Sequence, residues 1–139
     1  MTLFTPDFKE RRKSPRYMLK QPVEIVLKSG DIISVESRNI SSSGLQIICD
    51  SLATEEIEPR GIQSHNVSKL LIKICMDLQT GDESRKFYAS CRVVSQQRLS
   101  QDQYMLNLAF VDFENGCEPV LTRFLEQFSQ KKIMVSASA

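Results

Sequence analysis

The sequence predicts an all-β domain, a six-stranded antiparallel barrel, followed by one C-terminal amphipathic α-helix. Two patterns carry that expectation. Apolar and polar residues alternate through six short runs between Val23 and Val111, with turn signals and no helical period between them. After Asn115-Gly116 the period lengthens to that of a helix and holds for about four turns.

The elements follow in order. Val23, Ile25 and Leu27 face one way and Glu24 and Lys28 the other, and Ser29-Gly30-Asp31 turns the chain. Ile33 and Val35 belong to a second strand that ends near Asn39, and Leu45, Ile47 and Cys49 mark a third. Residues 50–68 are polar, contain Pro59 and Gly61, and read as a long loop. Leu70, Ile72, Ile74 and Met76 alternate with Leu71, Lys73, Cys75 and Asp77 before a turn at Gly81-Asp82. Phe87, Ala89, Cys91 and Val93 form the inward set of the fifth strand, and Tyr104, Leu106, Leu108 and Phe110 that of the sixth. In the helix, Val120, Leu121, Phe124, Leu125 and Phe128 make one apolar stripe. Pro119 is tolerated in the first turn, and Lys131 and Lys132 suit the C-terminal dipole. The expected layout is a single domain over 1–139: a basic flexible arm over 1–21, the barrel over 22–113, the helix over 115–132 and a disordered tail over 133–139.

Composition narrows the class. The 139 residues are 41% hydrophobic and 25% charged, ordinary for one soluble domain. No run approaches the roughly 20 apolar residues of a membrane helix, and the charged N-terminal segment is unlike a secretory signal, so a cytoplasmic location is expected. The four cysteines, Cys49, Cys75, Cys91 and Cys117, form no C-x-x-C pair, and His65 is the only histidine. They read as apolar filler in a reducing compartment, and no metal or other cofactor is expected. Net charge is +1, split unevenly: residues 1–21 carry +4 and the remainder −3. A basic arm on a mildly acidic body suits a local anionic partner rather than a long nucleic acid.

Two short clusters hold the chemistry: Arg11-Arg12-Lys13-Ser14-Pro15-Arg16 in the arm, and Asn39-Ile40-Ser41-Ser42-Ser43-Gly44 between two strands. In order and spacing they resemble the signature of the PilZ family, an R-x-x-x-R motif followed by [D/N]-x-S-x-x-G. Arg12 and Arg16 fill the first motif, and Asn39, Ser41 and Gly44 the second. The resemblance covers about residues 11–130. It implies a split-barrel-type β-barrel with a terminal helix, and a receptor for the second messenger cyclic di-GMP. It also implies that these residues hold the ligand, and that the output is motility, adhesion, exopolysaccharide or virulence control through a partner protein. An arginine directly before the motif, here Arg11, goes in the family with two stacked ligands per chain. One departure is Asn107, on the last strand, where the family often has glycine.

The residue chemistry suits that ligand. Guanine O6 and N7 are acceptors that a guanidinium fork meets together, and arginine also stacks on a purine face. Asn39 offers an acceptor and donors, Ser41 a rotatable hydroxyl, and Gly44 a turn with φ above zero and close ligand approach. Arg38 and Arg92 fall on the face away from the core and read as surface charge.

Three rival classes have less support. No Walker loop, G-x-G-x-x-G or H-E-x-x-H occurs, and the single histidine has no visible nucleophile partner, so an enzyme is not expected. A nucleic-acid-binding barrel would show aromatic residues on a basic sheet face, where Tyr88 is the one outward aromatic expected on these strands. A protein-interaction adaptor with the same fold and no bound nucleotide is the alternative that remains.

Overall fold

The computed structural model describes residues 15–59 and 70–138. Its strands are β1 (Tyr17–Met18), β2 (Pro22–Val26), β3 (Ile32–Ile40), β4 (Gly44–Cys49), β5 (Leu71–Thr80), β6 (Glu83–Ser100) and β7 (Gln103–Phe113). Helix α1 (Ser51–Ile57) follows β4, and α2 (Glu118–Ser138) ends the described chain. Every strand pairing is antiparallel. The sheet runs β3-β2-β5-β6-β7-β4, and β4 pairs back onto β3, so six strands close into a barrel. β1 is a seventh, two-residue strand on the same edge of β3 as β2.

The alternation read from sequence fills the barrel. Val23, Ile25, Leu45, Ile47, Ile74, Leu78, Phe87, Cys91, Val93 and Leu106 are at most 2% exposed. Each comes from an inward position of its strand, as the two-residue period of a half-buried sheet requires. The helix closes one end of the barrel. Leu121 and Phe124 join the core, and Gln127 clasps the β5–β6 turn, accepting from Gly81 N at 2.6 Å and donating to Gln79 O at 2.7 Å. All four cysteines are buried free thiols, and burial pushes Cys49 and Cys91 up to about 12. Thiols of that kind are packing groups rather than nucleophiles.

Four boundaries differ from the sequence reading, each for a local reason. The helix begins at Glu118, not 115, because Asn115 and Gly116 both adopt left-handed conformations, φ 56° and 65°, and make the preceding turn. It continues past Lys132 to Ser138, through the segment expected to be disordered, where no glycine or proline stops it. Part of the long loop is α1, whose N-cap Asp50 accepts from Ala53 N at 2.7 Å. Its first residue also donates, from Ser51 N, to Asp102 in the β6–β7 turn, and hydrogen bonding from the Ser51 side chain, then from its backbone, holds the Asp102 carboxyl below its usual range. Finally, the end of the expected flexible arm is strand β1.

Candidate functional site

The site begins with the crossover from β1 to β2. Tyr17 lies opposite Ile40 and Met18 opposite Asn39, while β2 takes up the same edge of β3 from Glu36 to Ile32. Between them the chain is stapled by Ser37, only 2% exposed, which accepts from Gln21 N and donates to Leu19 O. Leu19 N donates to Arg38 O at 3.0 Å, and Ser37 N to Gln21 O at 2.9 Å. This fixes where the arm leaves the barrel, so Arg16 sits beside the end of β3. On its other side Tyr17 stacks on Phe128 of α2, with ring centroids 5.2 Å apart and planes 16° from parallel.

The β3–β4 turn supplies the facing wall. Ser41, 4% exposed, accepts at Oγ from Ser43 N and Gly44 N, both at 3.2 Å, and Ser41 N donates to Gly44 O at 2.9 Å. A hydroxyl used this way holds the turn as a backbone carbonyl would, which is more than the freely rotating group the sequence suggested.

Gly44 is needed for a different reason from the one read in the sequence. It does not have a positive φ, unlike Gly30, Gly81 and Gly116. A Cβ at Gly44 would instead collide with the backbone carbonyl of Leu108 on β7. The glycine permits the close β4–β7 approach on which the turn rests, and Ser43 O accepts from Phe110 N across the same junction at 2.9 Å.

Between arm and turn lies a cleft of about 460 Å³ over the outer faces of β4, β7 and β6. Arg16, Asn39, Ser41, Ser43 and Gly44 line it, with Gln46, Ser95, Gln97, Asn107 and a few apolar groups. Arg16 is the one charged residue among its described lining, and no described carboxylate faces it. Among the described residues, an anion entering there meets one guanidinium and neutral groups, and the size is in the range of small-molecule sites.

The structure therefore brings Arg16, Asn39, Ser41 and Gly44 onto one cleft, and Arg11 and Arg12 lie outside the described residues. Arg38 and Arg92 do not line the cleft, and Arg38 Nη1 is 3.6 Å from Met105 Sδ. Sequence reading did not single out Gln46, Ser95 or Gln97, and left Asn107 without a role. Gln46 and Asn107 fall on outward positions by alternation, whereas Ser95 and Gln97 share the parity of the inward Val93 and turn outward only through the bulge after it. No group of histidine, cysteine and acidic side chains among the described residues is arranged to hold a metal. No helix among them is long and apolar enough to cross a membrane.

Comparison with known proteins agrees with this fold. The family model described as PilZ domain matches residues 10–127. No curated protein sequence matches the chain. Among solved structures, the inhibitor of motility MotI/DgrA of Bacillus subtilis is similar with a TM-score of 0.64 at 16% identity, over 88% of this chain and 52% of that one. The PlzA protein of Borreliella burgdorferi, solved with c-di-GMP, is similar at 0.60 and 13% identity, over 96% and 57%. The MrkH–c-di-GMP complex of K. pneumonia is similar at 0.55 and 13% identity, over 93% and 56%. The chain spans little more than half the length of these structures, and at such identities the likeness is one of fold.

Proposed function

The chain belongs to the PilZ domain family, and from that premise we propose that it is a cyclic di-GMP receptor whose ligand sits in the cleft between the arginine arm and the Asn39–Gly44 turn. Members of this family are regulatory receptors rather than enzymes, and we assign this chain no catalytic role. The observation that carries the reading is the convergence of Arg16 from the arm with Asn39, Ser41 and Gly44 from the β3–β4 turn on one cleft whose described lining holds no carboxylate. Two of the similar structures are complexes with the same ligand.

Each group has a distinct task. Arg12 and Arg16 clamp a guanine through O6 and N7, or a phosphodiester, from the arm side. Asn39 meets the ligand from the barrel side. Ser41 and Gly44 hold the turn and let the ligand approach its backbone. The signal leaves through the helix: ligand contact at Arg16 acts on the adjoining Tyr17, which stacks on Phe128, and a partner protein reads the changed surface. The four unpaired cysteines suit a reducing cytoplasm.

Arg11 extends the reading to stoichiometry. Two stacked ligands bring about four negative charges where one brings two, and a third guanidinium offsets part of their repulsion. Calorimetric titration with cyclic di-GMP, and with cyclic di-AMP as control, tests both points. The expected result is a preference for the guanine ligand at a ratio near two per chain, falling to one in Arg11→Leu. A parent ratio of one removes the paired-ligand claim, and absence of binding removes the receptor claim.

A further inference from the structure

The cleft floor carries a chain of hydrogen bonds spanning four strands. Asn39 Nδ2 on β3 donates to Gln46 Oε1 on β4, Gln46 Nε2 donates to Asn107 Oδ1 on β7, and Asn107 Nδ2 donates to Ser95 Oγ on β6 at 2.7 Å. The four residues are direct register partners in one row across the sheet. Two β-bulges put them there, one between Ser37 and Asn39 and one between Val93 and Ser95. Each bulge shifts its strand by one residue, so that Asn39 and Ser95 face outward in line with Gln46 and Asn107. All four line the cleft.

A carboxamide has a donor end and an acceptor end of nearly the same shape, so an isolated Asn39 could present either to a ligand. The ladder couples that choice to three neighbours. With Nδ2 committed to Gln46, Asn39 turns Oδ1, an acceptor, to the cleft. Reversing it would require Gln46 and Asn107 to reverse together and the Ser95 hydroxyl to change from acceptor to donor. An outward acceptor suits the N1–H and N2–H donors of guanine and opposes adenine, whose N1 is an acceptor. We propose that Gln46, Asn107 and Ser95 are positioning residues that hold the Asn39 carbonyl toward the ligand and thereby set the purine that the site accepts. The inference rests on the receptor reading above.

The test is the ratio of affinities for cyclic di-GMP and cyclic di-AMP. The two ligands carry equal charge, so non-specific electrostatic changes cancel in the ratio. Asn107→Leu keeps the side-chain volume, breaks the ladder, and is expected to lower the ratio roughly tenfold at an unchanged melting temperature. Asn107→Asp can only accept, holds Gln46 in its present sense, and is expected to keep the parent ratio. In an Asn39→Ala background Asn107→Leu is expected to have no further effect on the ratio, because its action runs through Asn39. If Asn107→Leu melts well below the parent, Ser95→Ala, at an exposed position, carries the same test with roughly a threefold drop. A parent that discriminates and a folded ladder variant that discriminates equally well overturn the ladder's role and leave the receptor reading standing. A parent that binds neither nucleotide overturns both.

Discussion

Gly44→Val is expected to lower the thermal midpoint by on the order of 10 °C and to abolish measurable ligand binding with it. The added Cβ meets the Leu108 carbonyl, a backbone atom inside the β4–β7 ladder, and not the end of a side chain that can swing away. Relief requires the two strands to part, which loosens the pairing of Gly44 with Ala109 and of Leu45 with Leu108, and the Phe110 N bond to Ser43 O. The combined cost is about 3 kcal/mol, at the upper end of overpacking penalties because the obstacle is main chain. Gly30→Ala is the control. Its φ is 95° and the space around it is open, so it carries only the backbone penalty of about 1 kcal/mol. Thermal unfolding of the two variants separates a steric requirement from a conformational one. Gly44→Val melting with the parent would show that β4 and β7 do not approach as described.

Arg16→Ala is expected to weaken cyclic di-GMP binding roughly tenfold to a hundredfold while leaving the melting temperature unchanged. The loss is that of one charge-assisted hydrogen-bonding group, about 1.5–3 kcal/mol. Stability is spared because Arg16 is exposed and contributes nothing to the core. Its effect on binding is large because it is the one cation among the described residues of the cleft. Arg16→Lys should recover only part of the affinity, since an ammonium keeps the charge and loses the planar fork. Calorimetry at fixed salt decides, and parent-like affinity in Arg16→Ala would take the arm out of the site.

What the sequence disclosed follows from the range of each signal. Strand alternation is local, so the inward sets Ile72-Ile74-Met76 and Phe87-Ala89-Cys91-Val93 are legible from their own runs and prove buried. The stripe from Leu121 to Phe128 is legible for the same reason. Helix α1, seven residues long, is too short to display a period and is hidden among polar residues. β1 is a strand only because β3 offers it two partners, and nothing in Tyr17-Met18 announces that. The candidate site divides likewise. Arg16, Asn39, Ser41 and Gly44 stand out as motif residues, but the tasks of Ser41 and Gly44 depend on geometry. One ties its own turn, and the other makes room for a strand more than sixty residues away in sequence. The Gln46–Asn107–Ser95 ladder was out of reach because it requires the register of four strands, set by two bulges that leave no mark in the sequence pattern.

Amide hydrogen exchange with and without cyclic di-GMP tests the central claim most directly, because it asks where the ligand acts. If the cleft is the site, ligand slows exchange at residues 8–20 and at the Ser41–Gly44 turn, and leaves the β2–β3 turn at Gly30 unchanged. Unaltered exchange in the arm and the turn under saturating ligand, or protection confined to another face of the barrel, would contradict it.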